Sequence, residues 1–90
     1  MKKSPKQLER HIKGVANHRR IEILDLISTS PGVTVEGIAE ILDSNMKTIS
    51  EHTRRLVRAG LVDKKYQGRT VTHSLSPYGK KIHKFLSDFS

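Results

Sequence analysis

At 90 residues, 34% hydrophobic and 29% charged, the chain has material for one modest core and none for a second effector domain. No apolar run approaches the roughly 18 residues needed to cross a membrane. The lack of Cys removes disulfides, thiolate metal sites and Cys nucleophiles. The Met-Lys-Lys start lacks the apolar centre of a secretory signal, so a cytosolic protein is expected. The net charge of +8 is segregated: residues 1–20 carry seven Lys and Arg against one acid, residues 21–44 five acids and no Lys or Arg, and residues 45–84 ten Lys and Arg against two acids. A field with that direction points to a polyphosphate partner.

In chain order, Ser4-Pro5-Lys6-Gln7 starts a helix (4–16), with Ser4 as cap, Pro5 in the first turn and Gln7 closing a capping box. Leu8, Ile12 and Val15 give it an apolar stripe, and Gly14 marks a stop or kink. Asn17 caps a second helix through about Ser28, in which Ile21, Leu24, Ile27 and the flanking Ile23 and Leu26 are core. Pro31-Gly32 turns the chain, and Val33-Thr34-Val35 suits a brief strand or an extended lead-in. Thr34 then caps a short helix over Val35 to Leu42, with Ile38, Ala39, Ile41 and Leu42 inward and Glu36 and Glu40 outward. Asp43-Ser44-Asn45 is a tight turn of residues that tolerate left-handed or capping geometry, so residues 35–60 read as a helix-turn-helix.

The second helix of that motif separates its faces. At about 100° per residue, Lys47, Glu51, Arg54 and Arg58 fall within about 40° of one direction, while Ile49 and Leu56 point the other way. One side fits a core and the other a polyanion, before Gly60 stops the helix.

Residues 61–75 read as a β-hairpin with a polar tip at Tyr66-Gln67-Gly68-Arg69 and with Val71, His73 and Leu75 inward. Ser76-Pro77 restarts a helix (76–90) with Ile82, Phe85, Leu86 and Phe89 at i, i+3, i+4 and i+7. Together with Tyr78 these exceed what so small a core needs, and left bare they would form a large apolar patch.

The run Thr48 to Val62 (TISEHTRRLVRAGLV), preceded by Gly37 to Leu42 (GIAEIL) and followed by the hairpin and Leu75-Ser76-Pro77-Tyr78-Gly79, resembles the winged helix-turn-helix regulators of bacteria and archaea. It is most similar to the arsenical-resistance (ArsR-type) group, with the multiple-antibiotic-resistance (MarR-type) group second, over roughly Val15 to Phe89. The resemblance implies a mainly α-helical winged fold forming one domain over 1–90. It also implies a prokaryotic cytoplasmic protein, nucleoid-associated when bound. Ala39 and Ile49 match the positions where the two motif helices touch. Departures are Asp43 where the turn usually has Gly, Ser44 where it has an apolar residue, and Thr53 in place of Leu. Metal-sensing members carry Cys or paired Asp/His and His/Glu, whereas this chain has no Cys and only His83 in its last helix, so no metal and no cofactor are expected.

By the same resemblance, the second motif helix enters the major groove with Met46, Lys47, Thr48, Ser50, Glu51 and Arg54 as readers. Lys47 and Arg54 suit guanine O6 and N7, and Met46 a thymine methyl. Glu51 has two readings: it accepts from cytosine N4, or it pairs within the helix with Arg55 or Lys47. Arg55 and Arg58 lie where phosphate contact is expected. The wing supplies Lys64, Lys65, Gln67 and Arg69, with Arg69 either in a minor groove or an ordinary exposed turn residue.

Leu8, Ile12, Val15, Tyr78, Ile82, Phe85, Leu86 and Phe89 are the expected homodimer interface, unless the last helix folds back on its own domain. His11, His18, His52, His73 and His83 show no metal-site spacing. The chain holds no catalytic grouping and no evident small-molecule site. The reading is a sequence-specific duplex-DNA-binding regulator, a homodimeric repressor at an inverted repeat. A protein-interaction module and a non-specific architectural or RNA-binding protein are the alternatives.

Overall fold

Every helix begins on a side chain that takes up its free amides. A computed structural model describes residues 1–90, with α1 Pro5–Val15, α2 His18–Thr29, α3 Val35–Ile41, α4 Met46–Arg58, β1 Val62–Gln67, β2 Thr70–Leu75 and α5 Pro77–Phe89. Ser4 Oγ accepts from Gln7 N while Gln7 Oε1 accepts from Ser4 N, completing the capping box. Asn17 caps α2, Thr34 caps α3, and Asn45 Oδ1 accepts from Lys47 N and Thr48 N at the head of α4. Ser76 Oγ accepts from Gly79 N and donates to Gly60 O at 2.6 Å, tying the start of α5 to the end of α4.

The fold is mainly helical with one two-stranded antiparallel hairpin, a winged helix-turn-helix. Ile23, Leu24 and Ile27 of α2, Ile38 of α3, Ile49 and Leu56 of α4, and Leu61 make its fully buried centre. Each such side chain contributes about 1.5–3 kcal/mol on leaving water. α3 packs on α4, with Ala39 and Ile49 both buried. Between these helices Asp43 adopts φ 49°, the left-handed turn, and Ser44 N returns to Ala39 O at 2.9 Å.

The hairpin pairs Val62 with Leu75 through to Gln67 with Thr70, leaving Gly68-Arg69 as a two-residue turn. Gly68 takes φ 63°, the positive value that a first turn residue needs for the strand twist to close. Val33 contributes only an isolated bridge to His73, whose backbone N donates to Val33 O at 3.0 Å. That bridge anchors the base of the wing to the loop before α3.

Several side chains lie elsewhere than periodicity indicates. Ile41 is 61% exposed, because the inward set of buried Ile38 and Ala39 and half-buried Leu42 centres on a direction it misses by about 100°. Ile21 is exposed for the same reason, being turned away from Ile23, Leu24 and Ile27. Val15, expected in the dimer stripe, is 5% exposed and belongs to the subunit's own core, where α1 meets α2 and α4. Gly14 lies in the last turn of α1, which ends one residue later. A Cβ at Gly14 would overlap that of Ala59, so the glycine is what lets α1 close on the end of α4.

Candidate nucleic-acid interface

The cap and the core side of α4 fix which side chains face outward. With Ile49, Thr53 and Leu56 buried, Met46, Lys47, Thr48, Glu51, Arg54, Arg55 and Arg58 are exposed and Ser50 is half-buried. None of the α4 cations enters an ion pair; the four pairs in the structure are Glu9–Lys13, Arg19–Glu22, Asp25–His83 and Lys84–Asp88. Glu51 is likewise unpaired, so the intrahelical pair with Lys47 or Arg55 is not formed. An exposed row of uncompensated cations raises the local potential toward anions, and the positive end of the helix dipole adds to it at Lys47.

The wing divides its basic residues between two faces. Neighbouring strand residues point to opposite sides. Lys64 and Tyr66 therefore line a cleft of about 270 Å³ against Met46, Ser50 and Arg54 of α4, whereas Lys65 and Gln67 are not among its walls. Arg69 is exposed at the turn. The structure thus brings Lys64 together with Arg54 in one cleft, whose walls do not include Lys65, Gln67 or Arg69. Tyr66, 70% exposed beside this cleft, is not singled out in the sequence; its place two residues from Lys64 on the same strand face is the signal for it.

On the other flank of α4, Arg20 of α2 reaches across. Its Nε donates to Gly14 O at 2.6 Å and its Nη1 to His52 Nδ1 at 3.2 Å. Desolvation, followed by the charges of Arg20, Arg55 and Arg19, lowers the His52 pKa against a smaller opposing effect of Glu51. His52 is therefore the neutral acceptor of that bond. Arg20 is itself lowered, by desolvation and by Arg55. Periodicity conceals Arg20, because it sits in the first turn of a helix that otherwise reads as core.

The apolar residues of the terminal helices are distributed unevenly. Ile12, Tyr78, Phe85 and Phe89 are exposed, while Leu8, Ile82 and Leu86 are half-buried, the last two against the core. Leu8, Ile12, Tyr78 and Ile82 line a cleft of about 390 Å³ between α1 and α5, with Lys2, Lys3 and Lys81 also in its walls. Tyr78 stacks on buried His11, whose Nδ1 lies 2.6 Å from Ala59 O. Phe85 and Phe89 stack at 5.7 Å. His83 meets Asp25 at 2.8 Å and Ser28 at 3.1 Å, and no three His, Asp or Glu side chains group as a metal site. No helix is long and apolar enough to cross a membrane.

Residues 17–64 match the family described as bacterial regulatory protein, arsR family. Among solved structures, HlyU from Vibrio cholerae superposes with a TM-score of 0.85 at 27% identity, covering 99% of this chain and 97% of that one. The homodimeric winged helix-turn-helix DNA-binding domain of a possible ArsR-family transcriptional regulator from Mycobacterium bovis gives 0.84 at 25% identity, covering 99% and 88%. FabT from Streptococcus pneumoniae, solved in complex with DNA, shares the fold at a TM-score of 0.74 and 19% identity, covering 91% and 64%. Comparison with curated protein sequences finds no match.

Proposed function

The chain belongs to the arsR family of bacterial regulatory proteins, a family of transcriptional regulators and not of enzymes, and we propose that it is a homodimeric, sequence-specific binder of duplex DNA that represses by covering an inverted repeat. The observation that carries this reading is the outward row of Lys47, Arg54 and Arg58 on a capped helix, none of them neutralised by a neighbouring acid. α4 enters the major groove, where Lys47 and Arg54 donate to guanine and Met46 packs on a thymine methyl. Thr48 and Ser50 donate or accept at base edges, and Glu51, free of an ion pair, accepts from cytosine N4. Arg55, Arg58 and the wing residues Lys64, Lys65, Gln67 and Arg69 grip the backbone or the adjacent minor groove.

The dimer buries Ile12, Tyr78, Phe85 and Phe89, with Leu8, Ile82 and Leu86 beneath them. Exposed aromatic side chains flanking an apolar cleft between α1 and α5 support a second copy as occupant. The relative from Mycobacterium bovis is homodimeric, which supports pairing with a second copy. Two-fold symmetry then sets the two α4 helices about one DNA turn apart.

Selecting bound sequences from a random duplex pool, with the mass of the protein in solution, tests this. The expected result is a dimer and a palindromic consensus whose half-sites are spaced by about 10–10.5 base pairs. For about six phosphates neutralised per dimer, log K falls against log salt with a slope of about −5. A monomer with a single half-site overturns the dimer, and no enriched sequence overturns specificity.

A further inference from the structure

The flank of α4 away from the wing holds a second basic surface. Arg10 and Lys13 of α1, Arg20 of α2, and Arg55 and Arg58 of α4 line an open pocket of about 290 Å³. No carboxylate lines it, and none of its four arginines is in an ion pair; Lys13 alone meets an acid, Glu9, at 3.5 Å on the surface. Five cations from three helices converge, and the four arginines among them have no acidic partner, which costs the fold repulsion. The Arg20 pKa is lowered, first by desolvation and then by the charge of Arg55.

The convergence is built into the packing. Only a glycine at position 14 lets α1 approach Ala59 closely enough to put Arg10 and Lys13 beside Arg55 and Arg58. Arg20 is oriented by bonds to Gly14 O, His52 Nδ1 and, at 3.5 Å, Lys13 O. A guanidinium has five N–H donors, so donors remain for a further acceptor. Forked donors surrounded by point charges are the chemistry that binds phosphate oxygens.

We propose that this pocket binds a phosphate oxyanion, and that on DNA the occupant is a backbone phosphate beside the groove that α4 enters. The inference rests on the DNA-binding reading and deepens it. Arg10, Lys13 and Arg20 become contact residues outside the motif helix and the wing, so the duplex is gripped from both flanks of α4.

The test is the double variant Arg10→Gln with Lys13→Gln, two exposed positions whose change leaves the core intact, with thermal unfolding as the check on folding. Binding of selected and random duplexes is measured over a range of salt. Affinity for both is expected to fall alike, on the order of tenfold at moderate salt, with the salt slope reduced by about 0.9 for each phosphate that is no longer neutralised. A second arm follows thermal unfolding of both proteins without DNA as inorganic phosphate is added. Saturable stabilisation of the wild type alone, with DNA affinity and slope unchanged in the variant, supports the phosphate site and assigns it to a free anion. No difference in either arm overturns the pocket. Failure of the wild type itself to bind duplex overturns the DNA reading instead, and the phosphate arm then decides the pocket by itself.

Discussion

Replacing Gly14 by Ala probes the contact on which both the core and the basic pocket depend. The added methyl would overlap the Cβ of Ala59, a buried residue at the end of α4, so α1 must move away from α4. Overpacking of this kind costs about 1–3 kcal/mol. Moving α1 also stretches two 2.6 Å bonds, His11 Nδ1 with Ala59 O and Arg20 Nε to Gly14 O, each worth about 1 kcal/mol net. Against this, Ala is better than Gly inside a helix by about 1 kcal/mol. The expected loss is therefore about 3 kcal/mol, which in a chain of this size lowers Tm by about 12–24 °C. Calorimetry at one fixed protein concentration is the assay, since a dimer's Tm depends on concentration. The second variant, Ala59→Gly, removes the other methyl, so the double variant should recover most of the loss and show a coupling energy above about 1 kcal/mol. A neutral or stabilising Gly14→Ala, or no recovery in the double variant, would mean that Gly14 and Ala59 are not in close contact.

Thr53 is 1% exposed and its Oγ1 has no hydrogen-bond partner; Thr53→Val keeps the shape and removes the stranded hydroxyl. Stability should rise by about 1 kcal/mol, seen as a higher urea midpoint at unchanged m-value, and a fall would mean the hydroxyl is bonded. His52 has its pKa lowered in the folded state by desolvation and nearby arginines. The unfolded chain therefore binds the extra proton first, so stability is highest above about pH 6.5 and is lost as pH falls toward the lowered folded value. Urea titrations between pH 5 and 8 should show that dependence weakened in His52→Gln; an unchanged profile would exclude His52 as its source. Arg54→Ala should cost about 1–3 kcal/mol and relax one base position, while Arg58→Ala weakens all sequences alike. Competition binding with operator and random duplex separates them, and equal loss on both duplexes for both variants contradicts the division.

The parts of the fold that were legible in the sequence were those decided within a few residues. Ser4, Asn17, Thr34, Asn45 and Ser76 each announce a helix by their own bonding capacity, and all five act as caps. The opposed faces of α4 followed from helical period alone, because its charges and apolar residues are so fully separated. Contacts made by distant segments were not legible. Nothing local in Val15 distinguishes core from interface, and its burial depends on where α1 crosses α2 and α4. Ile41 sits in a helix of only seven residues, too short for its apolar pattern to fix one inward direction. Arg20 joins the basic flank only because Gly14 and Ala59 let two helices meet. The separation of Lys64 from Lys65 depends on strand pairing and on where α4 lies beneath the hairpin.

Dimethyl sulfate protection of guanine N7 on a selected operator reports whether the cationic flank of α4 occupies the major groove. Two protected clusters about 10–10.5 base pairs apart are expected, with protection of the guanine opposite Arg54 lost in Arg54→Ala. Guanine N7 left fully reactive along a bound operator, or protection indifferent to Arg54, would contradict that placement of α4.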